Sequence, residues 1–312
     1  MIMAYDAGYG FIKALSQKGD RLIFPSVVGE VSADNIEMFS NGTQQITVEG
    51  QSWLIGDSAL QQSLLTVDMQ NSDWILSPQW RAMLLYAISE TTKASRVDVE
   101  VVTGLPFGDY QNRQLKAQFR DSLIGLHHIQ RPGRPHQKIN IAALNIYTQN
   151  FGPIFRHLKL LQDAMVGVLN IGSHTIEMAT VQLHKDKGPE AIRTQCVSSD
   201  KGTRTTLPLL RNVLNTKRPG VRYNDYEIDK GMQNGLIEPR YLKSFVDSVQ
   251  GLVSDNWASY RVVPLNKLTH FIVSGGGAEL VGKKLRIEGP EVILGTQWDT
   301  VLGYLEARKV MK

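Results

Sequence analysis

The sequence predicts an α/β protein built from two similar domains, and three observations lead to this expectation. The chain has 312 residues, of which 42% are hydrophobic, which is enough for a large core and suggests about two domains. Strand and helix patterns follow one another in both halves. An apolar strand, a glycine turn and a second strand at residues 4–13 find a counterpart at residues 169–178, which indicates an internal repeat.

The composition excludes several classes of protein. No apolar run approaches the length of a membrane span, and the first ten residues lack the zones of a signal peptide. The single cysteine, Cys196, has no partner for an internal disulfide, so we expect a cytoplasmic protein. The net charge is only +4, and direct binding to nucleic acid is therefore not expected.

The first half of the chain predicts strands, a hairpin and two helices. Residues 2–28 contain three apolar or alternating segments divided by turns, which predicts three strands. Residues 77–92 predict a helix, because Ser77 can cap it and Pro78 suits its first turn. The other elements expected here are a hairpin over 44–56, a strand over 97–106 and a helix over 110–122.

The middle of the chain holds a basic segment and a connection. Residues 127–140 mix basic residues with proline and glycine, which predicts an exposed loop leading into a strand. A nucleic-acid patch is the alternative, but no aromatic residues stand between the basic ones. Residues 148–161 predict a helix that connects the two halves.

The second half repeats the plan of the first. Residues 165–183 predict a strand, a glycine turn and a second strand, and residues 191–199 predict a third. Residues 268–285 predict a strand, three glycines and a helix. Further helices are expected over 203–214, 223–233, 239–257 and 295–310.

The first glycine turn is a candidate anion site. Asp6 closes the first strand and is followed by Gly8 and Gly10. Such a stretch is most often an ordinary turn. However, N–H groups bunched in a glycine turn also hold anions, a nearby carboxylate can hold the water ligands of a cation, and Lys13 adds positive charge.

Two later segments supply the rest of the candidate site. The second turn carries Asn170 and Gly172, and Gly275–Gly277 join a strand to a helix whose N-terminus favours negative charge. Two such turns in two domains are suited to holding one polyphosphate, because clefts between domains are preferred ligand sites.

In this order and spacing, the three segments resemble the ATPase superfamily of actin, the heat-shock chaperones and the sugar kinases. Residues 6–13 resemble its first phosphate motif, residues 170–177 its second, and residues 273–279 its adenosine motif. The opening D-x-G-Y-G, the T-G-L-P turn at 103–106 and the Q-W-D-T-V-L-G-Y ending are most similar to the plasmid-segregating ParM/StbA group and archaeal actin-like proteins.

The resemblance implies a two-domain actin-like fold, of the duplicated ribonuclease-H-like kind, with a nucleotide cleft between the domains. Domain I is expected over residues 1–152, joined by the C-terminal helix at about 303–312, and domain II over 153–302. The implied protein is a cytoplasmic, cytoskeletal ATPase. It would use ATP/ADP and Mg²⁺ as cofactors, form filaments of itself on binding ATP, lose filament stability on hydrolysis, and segregate plasmid DNA through an adaptor protein.

The resemblance also assigns roles to individual residues. Asp6 and Asn170 are expected to hold Mg²⁺ through water. Glu227 and Lys230 are expected to meet the ribose and the adenine edge, and the alternative for this pair is an exposed ion pair on a helix. The residues expected to bind the nucleotide are Gly8, Tyr9, Gly10, Lys13, Gly172, Ser173, His174, Thr175, Glu227, Lys230, Gly275, Gly276 and Gly277.

Catalysis is expected to involve Gln149, Asp6 and Asn170. A glutamine can orient the water that attacks the terminal phosphate, and Gln149 stands at the matching position, although a surface glutamine is the alternative. The family normally has aspartate where Asn170 stands, and Glu177 takes the place of a later aspartate. An amide carries no charge and cannot act as a base, so hydrolysis is expected to be slow.

Two other functions fit the same sequence. A small-molecule kinase of this superfamily needs a carboxylate base, and Asp109 is the candidate, although a helix cap is the simpler interpretation. A nucleotide-gated binding protein with little hydrolysis also fits, because Asn170 replaces the aspartate.

Overall fold

The computed structural model describes residues 1–31, 43–63, 66–68, 72–161, 163–185, 187–217, 220–223, 227–228, 231, 238–258 and 263–310. The chain forms two compact units, Met1–Gln149 with Tyr304–Lys312, and Asn150–Gly303. Within the described ranges, no helix is both long enough and apolar enough to cross a membrane.

The first unit is built around a ten-stranded sheet. Its central strand β1 runs parallel to β8, which is parallel to β10, while β2 and then β3 follow on the other side as antiparallel neighbours. The strands are β1 Ile2–Ala7, β2 Phe11–Ser16, β3 Arg21–Pro25, β4 Val27–Glu30, β5 Gln45–Val48, β6 Gln51–Ile55, β7 Thr66–Asp68, β8 Arg96–Leu105, β9 Gly125–Gln130 and β10 Gln137–Thr148. The helices are α1 Gly56–Gln62, α2 Pro78–Glu90, α3 Phe107–Gln111 and α4 Arg113–Leu123.

The second unit is built around a six-stranded sheet. The strands are β11 Met165–Ile171, β12 Ile176–His184, β13 Gly188–Ala191, β14 Val197–Ser199, β15 His270–Ser274 and β16 Glu291–Leu294. The helices are α5 Gly152–His157, α6 Leu207–Lys217, α7 Lys243–Trp257 and α8 Gly276–Val281. The last helix, α9 Asp299–Val310, begins in the second unit and ends in the first.

Both sheets share one plan, and the predicted repeat is therefore confirmed in the topology. In the second unit, β11 is the central strand, β12 and β13 follow as antiparallel neighbours, and β15 and β16 continue in parallel on the other side. This order matches β3-β2-β1-β8-β10 of the first unit strand for strand. In each unit, a glycine turn therefore connects the central strand to its antiparallel partner.

Each unit has a hydrophobic core of its own. In the first, the buried helix α2 places Trp80 against Tyr5 and Phe119, with ring centroids 5.1 and 4.9 Å apart. In the second, Trp257 packs edge-on against Phe271 at 5.0 Å and donates its indole hydrogen to the Thr180 hydroxyl. Full burial of side chains of this size stabilises the folded state by roughly 1.5–3 kcal/mol each.

The segment at 21–28 differs from its prediction as one strand. It forms β3 and β4, which pair with different neighbours, and the break lies at Ser26. The physical reason is that Pro25 has no N–H group, while the N–H of Ser26 donates to the Gly10 carbonyl at 3.0 Å. The segment at 191–199 is divided in the same way, into the end of β13, the 3₁₀ turn Arg193–Gln195 and β14.

The prediction of an exposed loop over 127–140 is wrong for most of that segment. β9 and β10 occupy it, and only 131–136 connect them. In β9, buried and exposed residues alternate, and this alternation places His127 and Ile129 in the core. The pattern was not recognised in the sequence because basic residues surround it. The guanidinium groups of Arg131 and Arg134 both pair with Glu90 at the end of α2.

Several smaller differences remain, among them the helix predicted over 148–161, which is divided into the 3₁₀ turn Gln149–Phe151, α5 and the 3₁₀ turn Leu158–Leu160. The helix predicted over 110–122 is divided at Asn112, whose side-chain oxygen caps α4 by accepting from the Leu115 N–H at 3.0 Å. The strand β16 was not predicted. Most of the helix predicted over 223–233 lies outside the described residues.

Candidate functional site

The first glycine turn lies between β1 and β2. The strand register places Asp6 opposite Lys13, with Lys13 Nζ 3.5 Å from Asp6 Oδ2. Both side chains are largely buried, at 13% and 12% exposure for Lys13 and Asp6. The turn therefore has a carboxylate and an ammonium group side by side at its base.

Ser26 holds both ends of this turn. Its hydroxyl group donates to the Gly8 carbonyl, and its N–H donates to the Gly10 carbonyl at 3.0 Å. A side chain at Gly8 would be crowded, because a Cβ there would lie 3.0 Å from the Phe11 carbonyl oxygen. The ring of Tyr9 packs at a tilt against the ring of Trp74, with the ring centroids 5.9 Å apart.

These bonds orient the N–H groups of the turn. The peptide bonds are trans, so the C=O and the N–H of one peptide group point in opposite directions. Because the Gly8 carbonyl faces Ser26, the N–H of Tyr9 faces away from it. A backbone N–H presented in this way is the element from which anion sites are built.

The second turn, at residues 172–175 between β11 and β12, is held by backbone groups. Thr203, Arg204 and Gly202 donate their N–H groups to the carbonyls of Gly172, Ser173 and His174 at 3.1, 2.8 and 2.9 Å. Gly202 has no room for a side chain, since a Cβ would lie 2.4 Å from the His174 carbonyl carbon. The N–H groups of residues 173–175 therefore point away from residues 202–204. The Gly172 N–H instead donates inside the turn, to the Thr175 carbonyl at 2.8 Å.

Asn170 occupies in the second unit the position that Asp6 has in the first. The register of β11 and β12 places it directly opposite Glu177, which is 4% exposed. Side chains that face each other across an antiparallel pair have Cβ atoms about 5 Å apart. A buried carboxylate therefore neighbours the amide that replaces the expected aspartate.

The glycine triplet packs onto the end of the same strand. Gly275 has φ +88°, and a Cβ there would lie 2.5 Å from both Asn170 Oδ1 and the Ile171 carbonyl oxygen. A Cβ on Gly277 would lie 2.2 Å from Ile171 Cγ2, whereas Gly276 has open space around it. The triplet and the second turn therefore belong to one site within the second unit. The helix α8 that follows has only six residues, so its dipole adds little.

Gln149 lies in the first unit, beside the T-G-L-P segment at the end of β8. It is half-buried and begins a short 3₁₀ turn, Gln149–Phe151. A Cβ on Gly104 would lie 3.2 Å from Gln149 Cγ and 1.8 Å from the Tyr304 hydroxyl oxygen. Gly104 thus leaves the space that both side chains use.

The remaining predicted residues are less informative. Glu227 is exposed, and Lys230 lies outside the described residues, so their contacts with a nucleotide stay a prediction. Asp109 lies in the first turn of α3 but does not cap it, because the cap residue is Pro106. Burial raises the pKa of the Asp109 carboxyl group above its ordinary value.

Each turn, taken by itself, has backbone groups of the kind that bind phosphate oxygens, and the Asp6 carboxylate is of the kind that holds a hydrated cation. The carbonyls of Gly8 and Gly10 are bonded in the first turn and those of residues 172–174 in the second, so the N–H groups of the same peptide groups point to the opposite side, where phosphate oxygens could accept from them. In the described part of the chain, no three histidine, cysteine or acidic side chains lie together as metal ligands. A single carboxylate such as Asp6 suits Mg²⁺, which keeps most of its water.

Sequence reasoning missed Ser26 and residues 202–204, which hold the turns. The one signal for Ser26 was its place directly after Pro25, where a strand loses its hydrogen-bond donor.

Comparison with known proteins shows which protein family this part of the chain is similar to. Residues 4–152 match the family model for the N-terminal domain of actin-like proteins. No functionally curated protein matches the chain in sequence.

Among solved structures, an archaeal actin homologue superimposes with a TM-score of 0.83 at 18% identity, covering 100% of this chain and 99% of the homologue. The same homologue in complex with ADP superimposes with a TM-score of 0.80 at 18% identity, and 99% of each chain is covered. A chain of a 15-stranded ParM filament from Clostridium botulinum superimposes with a TM-score of 0.76 at 17% identity, covering 99% of this chain and 98% of the ParM chain.

The chain therefore has the actin-like fold, its residues 4–152 match the family model for the N-terminal domain of actin-like proteins, and an archaeal actin homologue and a ParM protein are among the structures that it resembles in fold.

Proposed function

We propose that this chain is an actin-like cytoskeletal ATPase that binds ATP with Mg²⁺ through its two glycine turns and assembles with copies of itself into filaments. The observation that carries the proposal is the bonding of the turn carbonyls by Ser26 and by residues 202–204, which directs N–H groups away in both turns. Ordinary surface turns do not need this arrangement.

The side chains around the first turn have complementary tasks in this proposal. Lys13 supplies a positive charge to the phosphate oxygens, and Asp6 holds water molecules of the Mg²⁺ ion. The cation would neutralise charge on the phosphate groups. The 3.5 Å pair between Lys13 and Asp6 keeps both groups at the base of the turn before the nucleotide arrives.

Assembly and nucleotide use are supported by the similar structures. One of them is an ADP complex and another is a filament, although at 17–18% identity these properties are proposals for this chain. We also propose a cytoplasmic location and a role in plasmid segregation through an adaptor, as the resemblance to the ParM group implies. ATP hydrolysis is proposed to use Gln149 for the water and to be slow because of Asn170.

A small-molecule kinase is the second candidate, and one observation favours it. Burial raises the pKa of Asp109, which suits a carboxylate that must accept a proton. A panel of sugars and small alcohols with labelled ATP tests this candidate, because only a kinase transfers the label to an acceptor.

Titration calorimetry with ATP tests the binding proposal. The unaltered chain is expected to bind ATP more tightly with Mg²⁺ than with a chelator. Asp6→Asn should remove most of that gain, about tenfold in affinity, while Asp20→Ala in the exposed turn after β2 should keep it. If the unaltered chain binds no ATP, the proposed function is wrong. If Asp6→Asn binds as tightly as the unaltered chain in Mg²⁺, then Asp6 is only a turn residue.

A further inference from the structure

We propose that Ser26 is a positioning residue for the nucleotide phosphates, because its hydroxyl group fixes the peptide group whose N–H would meet them. The inference rests on the proposed function and names the residue that makes the first turn ready for its ligand.

The contacts of Ser26 fit this role. Its side chain is 1% exposed and its hydroxyl group donates to the Gly8 carbonyl, while its own N–H reaches the Gly10 carbonyl at 3.0 Å. One residue, located where β3 ends and β4 begins, thus holds the turn before and after Tyr9.

The glycines of the turn explain why a residue that fixes the orientation of the Gly8–Tyr9 peptide group is needed. Glycine has access to a wide range of backbone angles, so a peptide group beside it can rotate at low cost. If the Gly8–Tyr9 peptide group rotates by half a turn, its carbonyl oxygen replaces the N–H and repels an anion. The hydroxyl group of Ser26 opposes this rotation, because the rotated peptide group loses the hydrogen bond.

In the second unit, backbone N–H groups rather than a side chain fix the orientation of the peptide groups in the turn. Three consecutive N–H groups, at residues 202–204, bond the carbonyls of residues 172–174. No substitution other than proline removes those donors. In the first unit, by contrast, the Gly8 carbonyl is bonded by a hydroxyl group, and a single substitution of Ser26 removes it.

A positioning role and a purely structural role predict different results. If Ser26 only stabilises the fold, its loss lowers the melting temperature and weakens all adenine nucleotides alike. If it orients the Tyr9 N–H, its loss weakens nucleotides that carry the β- and γ-phosphates and spares AMP, which lacks them.

The experiment measures competition by ATP, ADP and AMP against a fluorescent ATP analogue on the full chain. Ser26→Ala is expected to weaken ATP about tenfold, the effect of one hydrogen bond to a charged group, and to change AMP by less than about twofold. Ser26→Thr keeps the hydroxyl group and should restore ATP binding. The control is Ser89→Ala, since Ser89 is also fully buried and donates to a backbone carbonyl, that of Tyr86, at 3.0 Å.

The outcomes separate the inference from the function on which it rests. Equal weakening of ATP and AMP by Ser26→Ala, or no weakening of ATP, overturns the inference while ATP binding by the unaltered chain stands. If the unaltered chain binds neither the analogue nor ATP, the proposed function falls as well. Should Ser26→Ala fail to fold, Ser26→Cys takes its place, because a thiol is a weak donor of similar size, and the same two comparisons decide.

Discussion

Asn170 and Glu177 form a cross-strand pair in the second unit, where the first unit has Asp6 and Lys13. The charge pattern is therefore different in the two turns. One turn has a carboxylate with an ammonium group, and the other has an amide with a carboxylate. The repeat preserves the backbone while the charges near the expected phosphates have diverged.

Asn170→Asp is expected to raise the rate of phosphate release. A second carboxylate strengthens the hold on Mg²⁺ and its water, and groups that stabilise developing charge commonly contribute about a hundredfold in rate. Glu177→Gln should lower the rate, because it removes the carboxylate that already lies on that face. Single-turnover release at saturating ATP and Mg²⁺ measures both.

The contrary view is that Glu177 already replaces the missing aspartate. In that case Asn170→Asp places two carboxylates on residues whose Cβ atoms lie about 5 Å apart, and it leaves the rate unchanged or weakens nucleotide binding. Asn170→Ala is the control that shows how much the amide itself contributes.

Gln149→Ala is expected to slow phosphate release about a hundredfold and to leave ATP affinity near normal. Orientation of the attacking water acts in the transition state and hardly at all in the ground state. Gln114→Ala, on the exposed side of α4, is the matched control. An equal loss of affinity and rate would mean that Gln149 instead supports the end of β8 at Gly104.

At the scale of elements, hydrophobic pattern and turn chemistry predicted most of the fold. The hairpin around Glu49 and Gly50, the capped helix α2 and both glycine turns are where the sequence placed them. Two of the errors involve long-range bonding. The break at Ser26 depends on Gly10, and the course of residues 131–136 depends on Glu90. Partners so distant along the chain leave no local pattern.

The link between α2 and the turn after β9 is expected to make stability depend on pH. Burial raises the pKa of Glu90, but hydrogen bonds and charges from Arg131 and Arg134 outweigh it, so that pKa lies below its ordinary value. A carboxyl group with a lowered pKa stabilises the folded state above its ordinary pKa, and this contribution is lost as the pH falls through the lowered value.

Glu90→Gln should therefore cost about 1 kcal/mol at pH 7, after allowance for solvent screening, and progressively less towards pH 3. Urea unfolding of both proteins at each pH measures the difference. A difference that stays constant from pH 7 to pH 3 would show that the charge of Glu90 does not contribute.

At the scale of the whole molecule, the chain enters the second unit after Gln149 and returns to the first at Tyr304. Arg308 fastens the returning helix α9 by two hydrogen bonds to Glu100, at 2.9 and 2.8 Å. The sequence predicted the returning helix but not the Arg308–Glu100 pair, because no sequence pattern indicates which residue an arginine on a helix surface will contact. Filament contacts are hidden from sequence for the same reason.

The central claim is that nucleotide controls assembly of this chain into filaments, and sedimentation tests it most directly. We expect the protein to pellet with ATP and Mg²⁺, and to stay in the supernatant with chelator, with AMP, or as the Asp6→Asn variant. Light scattering during the same addition reports the rate of assembly. A chain that stays monomeric under every nucleotide condition, over a wide range of protein and salt concentration, would contradict the account.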